Sequence, residues 1–158
     1  MTLNPLHEEH IRGVAVTFSV ASPDLDPAAV TAATGLEPDD AAYRGGERRN
    51  KAGALLNPAS EGRWVLGTRG KVASRDIRDH FHYLHERLLP HATALKTFAR
   101  GGETFFGVVW KSTYLYAGTG PLLDADSIAG IAALGAGMGF DIYQVDEGHE
   151  VDSVELEA

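Results

Sequence analysis

The sequence contains no cysteine, which excludes disulfide frameworks, thiolate metal sites and cysteine nucleophiles together. It also lacks any apolar run close to the roughly 20 residues that a membrane-spanning helix requires. Residues 1–9 are polar and acidic, unlike a secretory signal peptide. We therefore expect a cytoplasmic protein with no membrane partner.

Basic charge is scarce overall, since the 158 residues carry a formal net charge of −8. Phosphate binding requires a basic face, so this balance argues against nucleic acid as a partner. The charges are unevenly spread, however, because nine Lys or Arg residues and only three acids lie between residues 44 and 78. Residues 141–158 contain seven acids and no Lys or Arg. We favour internal pairing of the two regions, and an anion site in the basic segment is the alternative.

Length and composition are those of one globular domain, with 44% hydrophobic and 23% charged residues. A chain of this size buries about 70% of the surface that its unfolded form exposes. We expect a single domain over residues 1–158. Within it, residues 1–11 should form a loose leader, and residues 146–158 an acidic tail or an edge strand.

Hydrophobic periodicity predicts a strand–helix–strand unit in the first part of the chain. Residues 14–20 alternate between apolar and small or polar side chains, as in a strand with one buried face. Asp26 and Pro27 are typical of the N-cap and first residue of a helix, and Gly35 is typical of its end. A strand over residues 63–68 completes the unit.

The same order recurs in the second part of the chain. A strand over residues 104–112 precedes a helix that Asp124 caps and that ends near Gly135, and a strand over residues 140–145 follows. We interpret this recurrence as a weak internal duplication. Residues 37–62 lack periodicity, as is usual for a functional or mobile connection.

A long amphipathic helix over residues 74–100 joins the two units. Ser74 is its predicted cap, and Pro90 removes a backbone donor, which predicts a kink or break. Its apolar residues recur at steps of three and four and so share one stripe of the helix. They are Ile77, Phe81, Leu84, Leu88, Ala92, Leu95 and Phe98. The predicted fold is α+β: two strand–helix–strand units, joined by the long helix, form a ferredoxin-like mixed or antiparallel sheet with the helices on one face.

Strand alternation also predicts the two faces of the sheet. The side chains expected in the core include both tryptophans, which should be largely buried: Val14, Val16, Phe18, Trp64, Leu66, Phe106, Val108, Trp110, Phe140 and Ile142. The opposite, open face mixes apolar, aromatic and charged groups, as non-obligate interfaces do. We predict an interface on that face, formed by Phe105, Val109, Lys111, Asp141 and Tyr143.

Several short motifs resemble a bacterial family, the domain of unknown function 4279. They are TAATGLEP at residues 31–38, the glycine pair at 45–46, GRW at 62–64, LG at 134–135 and DIY at 141–143. The resemblance covers roughly residues 14–143 and implies a small stand-alone α+β domain without an established activity. It implies no catalytic residue. Residues 135–139 are richer in glycine than the family pattern.

Four histidines lie in the predicted long helix, at His80, His82, His85 and His91. His82 and His85 can share a helix face with Glu86, a spacing that zinc sites use, but a third ligand and a second shell are missing. We interpret the four as solvated side chains on the helix surface. We expect no metal and no cofactor.

Catalytic motifs are also missing from the sequence. It contains no Gly-x-Ser-x-Gly nucleophile elbow, and its glycine-rich stretches lack the strand–loop–helix order of a phosphate-binding loop. We therefore favour a binding function over catalysis.

The predicted function is a binding domain that acts through its open sheet face, with a protein partner or a second copy of itself as a homodimer. The alternative is a protein that binds small anions or other small molecules with the basic loop, through Arg44, Arg48, Arg49 and Lys51. Arg forks suit carboxylate and phosphate groups. A hydrolytic or metal-dependent activity without a recognisable motif is the second alternative.

Overall fold

The structure is a computed structural model that describes residues 8–114 and 120–149. Its elements, in chain order, are β1 (Ile11–Ser22), α1 (Pro27–Thr34), β2 (Asp40–Ala42), β3 (Arg48–Arg49), β4 (Leu55–Leu56), β5 (Gly62–Gly67), α2 (Ile77–Leu88), a 3-10 turn (Leu89–His91), α3 (Ala92–Phe98), β6 (Glu103–Ser112), α4 (Ala125–Ala133) and β7 (Gly137–Gln144). Most of the predicted leader and of the predicted acidic tail lies outside the described residues.

The main sheet has five strands in the order β2-β5-β1-β6-β7. All neighbouring pairs are antiparallel except β6 and β7, which are parallel. The predicted α+β class with a mixed sheet is therefore confirmed. The ferredoxin-like arrangement is not, because a split βαβ unit has another strand between its two parallel strands, whereas β6 and β7 are direct neighbours.

The predicted cap residues define the short helices. The Asp26 side chain accepts a hydrogen bond from the amide of Ala28 at 2.9 Å, and Gly35 ends α1 with a left-handed φ of 69°. At the other end of the chain, the Asp124 side chain accepts from the amide of Ser127 at 2.9 Å and begins α4. Both helices begin where the sequence predicts.

The predicted long helix is divided into two helices at Pro90. α2 ends at Leu88, a 3-10 turn contains the proline, and α3 follows, as the missing backbone donor requires. The predicted cap, Ser74, was wrong by two residues. The Asp76 carboxylate accepts from the amide of Arg78 at 3.0 Å and is the actual N-cap.

The core lies between the helices and one face of β5, β1 and β6. Trp64 and Trp110 are 0% and 2% exposed, which confirms their predicted burial. The predicted burial of Phe140 and Ile142 was wrong, because these side chains are 42% and 48% exposed. They belong to β7, the outermost strand, where only Met138 packs against the core cluster.

Residues 37–62 are not the irregular connection that the sequence predicts. Asp40–Ala42 pairs with β5 as the edge strand β2, and β3 and β4 form a separate two-stranded ribbon. The Asn50 side chain builds the ribbon turn by accepting from the amides of Ala52 and Ala54 at 3.0 and 2.9 Å. β3 and β4 pack mainly against each other rather than over the sheet.

Over residues 8–114 and 120–149, no helix has both the length and the apolar content needed to cross a membrane.

Candidate functional site

The open face of the sheet has a row of small residues at its centre. The strand registers place Gly67, Thr17, Gly107 and Gly139 side by side across β5, β1, β6 and β7. A Cβ added at Gly67 would lie 3.2 Å from the Thr17 methyl, and one added at Gly107 would lie 3.0 Å from its Oγ1. Larger side chains at Gly67 or Gly107 would therefore crowd Thr17.

Phe105, on β6, covers the glycines of the neighbouring strand. A Cβ added at Gly139 would lie 2.8 Å from the Cζ of Phe105, and one added at Gly137 would lie 3.2 Å from its Cδ2. Aromatic rings stabilise strand glycines by covering their bare backbone in this way. The glycine-rich start of β7 therefore makes room for the Phe105 ring.

The structure brings the five predicted interface residues together. Val109 is in register with Asp141, and Lys111 is in register with Tyr143, so four of them form a two-by-two patch on the open face of β6 and β7. Phe105 lies on the same face of β6. Phe105, Val109 and Lys111 are half-buried, whereas Asp141 and Tyr143 are exposed.

β7 is the outermost strand of the sheet, and it exposes apolar side chains on both of its faces. Phe140 and Ile142 are exposed on the helix side, and Tyr143 is 51% exposed on the open side. Among the described residues, no strand pairs with its outer edge. Unpaired edges of this kind are templates for pairing with another chain. Sequence reasoning missed this feature because alternation alone does not distinguish an edge strand from a central one.

The basic loop residues do not converge. Arg49 donates from Nε to Glu47 at 2.6 Å and from Nη1 to the carbonyl of Gly53 at 2.9 Å. The Arg44 guanidinium lies 4.0 Å from a carboxylate oxygen of Asp24, and Lys51 lies in the turn of the exposed ribbon. The loop therefore spreads its charges over the surface.

A cavity of about 390 Å³ lies between β2 and the ribbon and is lined by Arg48, Arg49 and Arg63. Two of these guanidinium groups are already paired, because Arg63 donates to Asp40 at 2.8 Å and Arg49 to Glu47. Only Arg48 forms no ion pair with a described residue. Half of the predicted anion-binding set, Arg44 and Lys51, does not line this cavity.

The prediction of solvated histidines was wrong for His80 and His85, which are buried. Their positions follow from helix geometry. His80 lies on the buried side of α2 with Leu84 and Leu88, and His85 lies there with Phe81. His82 is exposed and lies 3.2 Å from Glu86. Over the described part of the chain, no three His, Cys, Asp or Glu side chains are grouped to hold a metal ion.

Burial lowers the pKa of both His80 and His85, so the two rings are neutral at pH 7. His80 has hydrogen-bond partners on both nitrogens, with Thr68 Oγ1 2.7 Å from Nδ1 and the Ser74 carbonyl 2.7 Å from Nε2. His85 has none, and its Nε2 is a buried polar atom without a partner among the described residues. The first histidine is therefore structural, whereas the second has unused hydrogen-bonding capacity.

Comparisons with known proteins give one result. The family model described as domain of unknown function DUF4279 matches residues 9–145. No curated protein and no solved structure matches the chain. The match covers β1 to β7, including the patch on β6 and β7 and both buried histidines. The chain therefore belongs to the DUF4279 family.

Proposed function

We propose that this protein is a binding domain that associates with a second copy of itself at the β6–β7 side of its sheet. The observation that carries the proposal is the exposure of Phe140, Ile142 and Tyr143 on an outermost strand whose outer edge is unpaired among the described residues. Exposed aromatic and branched side chains on both faces of an unpaired edge strand mark an interaction site.

A symmetric antiparallel pairing of two β7 strands suits this edge. With the two-fold axis perpendicular to the sheet, a register centred on Ile142 places that residue opposite its own copy. Asp141 then lies opposite Tyr143 of the second copy, and the register avoids a pair of facing carboxylates. The apolar side chains on the helix side gain the cover that each copy alone lacks.

Charge supports the same arrangement. In this register, Lys111 on β6 lies two strands away from Asp141 of the second copy. The two backbones are then about 10 Å apart, a distance that long side chains can bridge. The relation is repeated by the symmetry, so each copy contributes one cation and one anion. A patch that carries both charges is suited to pairing with itself.

The geometry favours self-association over the anion-binding alternative. Two of the three guanidinium groups at the ribbon cavity are paired with carboxylates, and the predicted ligands Arg44 and Lys51 lie outside it. By contrast, no described strand pairs with the outer edge of β7.

The test compares two exposed tyrosines by light scattering over a range of concentrations. We expect the wild type to be a dimer. Tyr143→Glu places a second carboxylate beside Asp141, and this variant should be monomeric. Tyr43→Glu is the matched control, because Tyr43 is 55% exposed directly after β2, at the opposite edge of the sheet, and its replacement should leave the dimer intact. Association of the Tyr143 variant like the wild type, or equal dissociation of both variants, would contradict the proposal.

A further inference from the structure

The helices α2 and α4 meet at His85 and Gly130. A Cβ added at Gly130 would collide with Cε1 and Nδ1 of the imidazole and would lie 2.7 Å from its Nε2. Because no side chain fits at this position of α4, the glycine is what allows the two helices to approach. The His85 ring therefore packs directly on the backbone of α4.

The other neighbours of the ring are apolar. Its centroid lies 5.6 Å from that of Phe81 and 5.8 Å from that of Phe106. His85 is only 7% exposed, and its buried Nε2 has no hydrogen-bond partner among the described residues. A protonated imidazole carries an N–H donor on each nitrogen, and a buried charge without a partner is costly. Only the neutral ring suits the packed helices.

A cleft of about 330 Å³ between α2 and α4 borders this contact. It is lined by Asp76, Arg78, Asp79, His82, His85, Asp124, Asp126 and Ser127. Its four carboxylates face a single guanidinium, that of Arg78, which already donates from Nε to Asp76 at 3.0 Å. The cleft therefore carries excess negative charge, which favours an imidazolium ion. A position that excludes the charged ring thus lies beside one that attracts it.

Charged groups reach His85 from both helices. On α2, a protonated His82 disfavours a second positive charge, whereas on α4 the Asp124 carboxylate favours one. Phe106, on β6, brings no charge. Burial has the largest effect and lowers the pKa of the packed His85 ring. A ring in contact with water titrates at its ordinary value of 6.5, so the packed and released positions differ in proton affinity.

We propose that His85 makes the packing of α4 on α2 sensitive to acid. On protonation, the ring leaves Gly130 for the acidic cleft, and α4 separates from α2 while the sheet stays folded. The core contacts of Ile131 and Leu134, which attach α4, are weakened in this step. Self-association through β7 is not needed for the response.

The size of the response follows from proton linkage. The released ring takes up a proton with a pKa of 6.5, whereas the packed ring stays neutral. The ratio of separated to packed molecules therefore rises about tenfold between pH 7.5 and pH 5.5. The packed form is favoured above pH 6.5 and loses its advantage as the pH falls below that value.

The test is hydrogen–deuterium exchange of backbone amides, followed by NMR at pH 7.5 and pH 5.5 and corrected for the intrinsic effect of pH on exchange. We expect the protection of the α4 amides to fall about tenfold at pH 5.5. It should also be lower than that of the β1 amides at both pH values. β1 is the central strand of the sheet and reports on unfolding of the whole molecule.

Two histidine variants separate the local event from global unfolding. His85→Met fills the space with a flexible, apolar side chain that does not titrate. In this variant the protection of α4 should no longer depend on pH, while β1 keeps the dependence that the buried His80 gives it. His82→Gln removes an exposed histidine of the same helix and should behave like the wild type.

Gly130→Ala tests the same contact without titration. The added methyl group displaces the His85 ring, so α4 should already be weakly protected at pH 7.5 while β1 remains protected. Equal protection of α4 and β1 in the wild type would overturn the proposal. An α4 that keeps its pH dependence in His85→Met, or that stays fully protected in Gly130→Ala, would overturn it as well.

Discussion

At the level of single residues, His80 is a buried polar side chain with a hydrogen-bond partner on each ring nitrogen. The Ser74 carbonyl can only accept a hydrogen bond, so Nε2 carries the proton, and Nδ1 accepts from the Thr68 hydroxyl. The same Thr68 oxygen accepts from the amide of Val16 at 2.9 Å. One neutral imidazole thereby connects α2, β1 and the end of β5.

This network predicts that acid destabilises the protein. Burial lowers the pKa of His80 below its ordinary value of 6.5, so the unfolded chain takes up a proton more readily than the folded one. The contribution of His80 to stability is complete above pH 6.5 and is lost as the pH falls below it. His85, whose pKa is also lowered by burial, acts in the same direction.

The measurement is the urea midpoint of unfolding at pH 7.5 and at pH 5.5. We expect a lower midpoint at pH 5.5 for the wild type and for His82→Gln, which removes an exposed histidine. His80→Gln should be less stable at pH 7.5 and should show a smaller difference between the two pH values. An equal pH dependence of the His80 and His82 variants would contradict this account of the network.

At the scale of elements, the β6–β7 pair depends on the absence of side chains at two positions. Gly139→Ala would bring a methyl group to 2.8 Å from the Phe105 ring. We expect the substitution to destabilise the protein by about 1–3 kcal/mol, the usual range for overpacking. Denaturant unfolding measures the effect.

The control is Gly148→Ala, because an added Cβ there meets no atom within 4 Å. This control should change stability by less than about 0.5 kcal/mol. Combining Gly139→Ala with Phe105→Leu should recover part of the loss, since the smaller side chain relieves the contact. Equal effects of the two alanine variants would show that the ring does not limit this strand.

Local signals allowed most elements to be predicted from the sequence. Asp26, Asp124 and Gly35 act within one turn of the chain, and Pro90 breaks the helix through its own missing amide. These effects depend on sequence neighbours alone. The ribbon at residues 48–56 was missed because its strands have two residues each, which is too short for a periodic pattern.

Features that depend on distant neighbours could not be predicted in the same way. Phe140 and Ile142 alternate like core residues, and only the strand order places them at an uncovered edge. His80 is buried because Thr68 and Ser74 satisfy its nitrogens, and neither partner is evident from helix periodicity. The cleft between α2 and α4 also requires knowledge of which helices pack together.

At the scale of the whole molecule, the sheet is covered unevenly. Helices pack on one face of β5, β1 and β6, whereas the open face and the β7 edge have no helix over them among the described residues. The short strand β2 ends the opposite side of the sheet after three residues. Short edge strands resist further pairing, so the eight-residue β7 is the side at which a second sheet can be added.

In the proposed dimer, two copies pair through β7 with Ile142 at the symmetry axis. Because the chain has no cysteine, a single Ile142→Cys variant can be oxidised without competing disulfides. Facing residues of antiparallel strands lie about 4.5–5.5 Å apart between Cα atoms, within the range that a disulfide spans. Tyr43→Cys, exposed directly after the opposite edge strand β2, is the control for random collision.

The deciding measurement is the yield of covalent dimer after mild oxidation of both variants at the same protein concentration, determined on a non-reducing gel. We expect Ile142→Cys to convert to a species of twice 16.9 kDa while Tyr43→Cys remains monomeric. Equal yields from the two variants, or an Ile142→Cys variant that stays at 16.9 kDa, would contradict the proposed dimer.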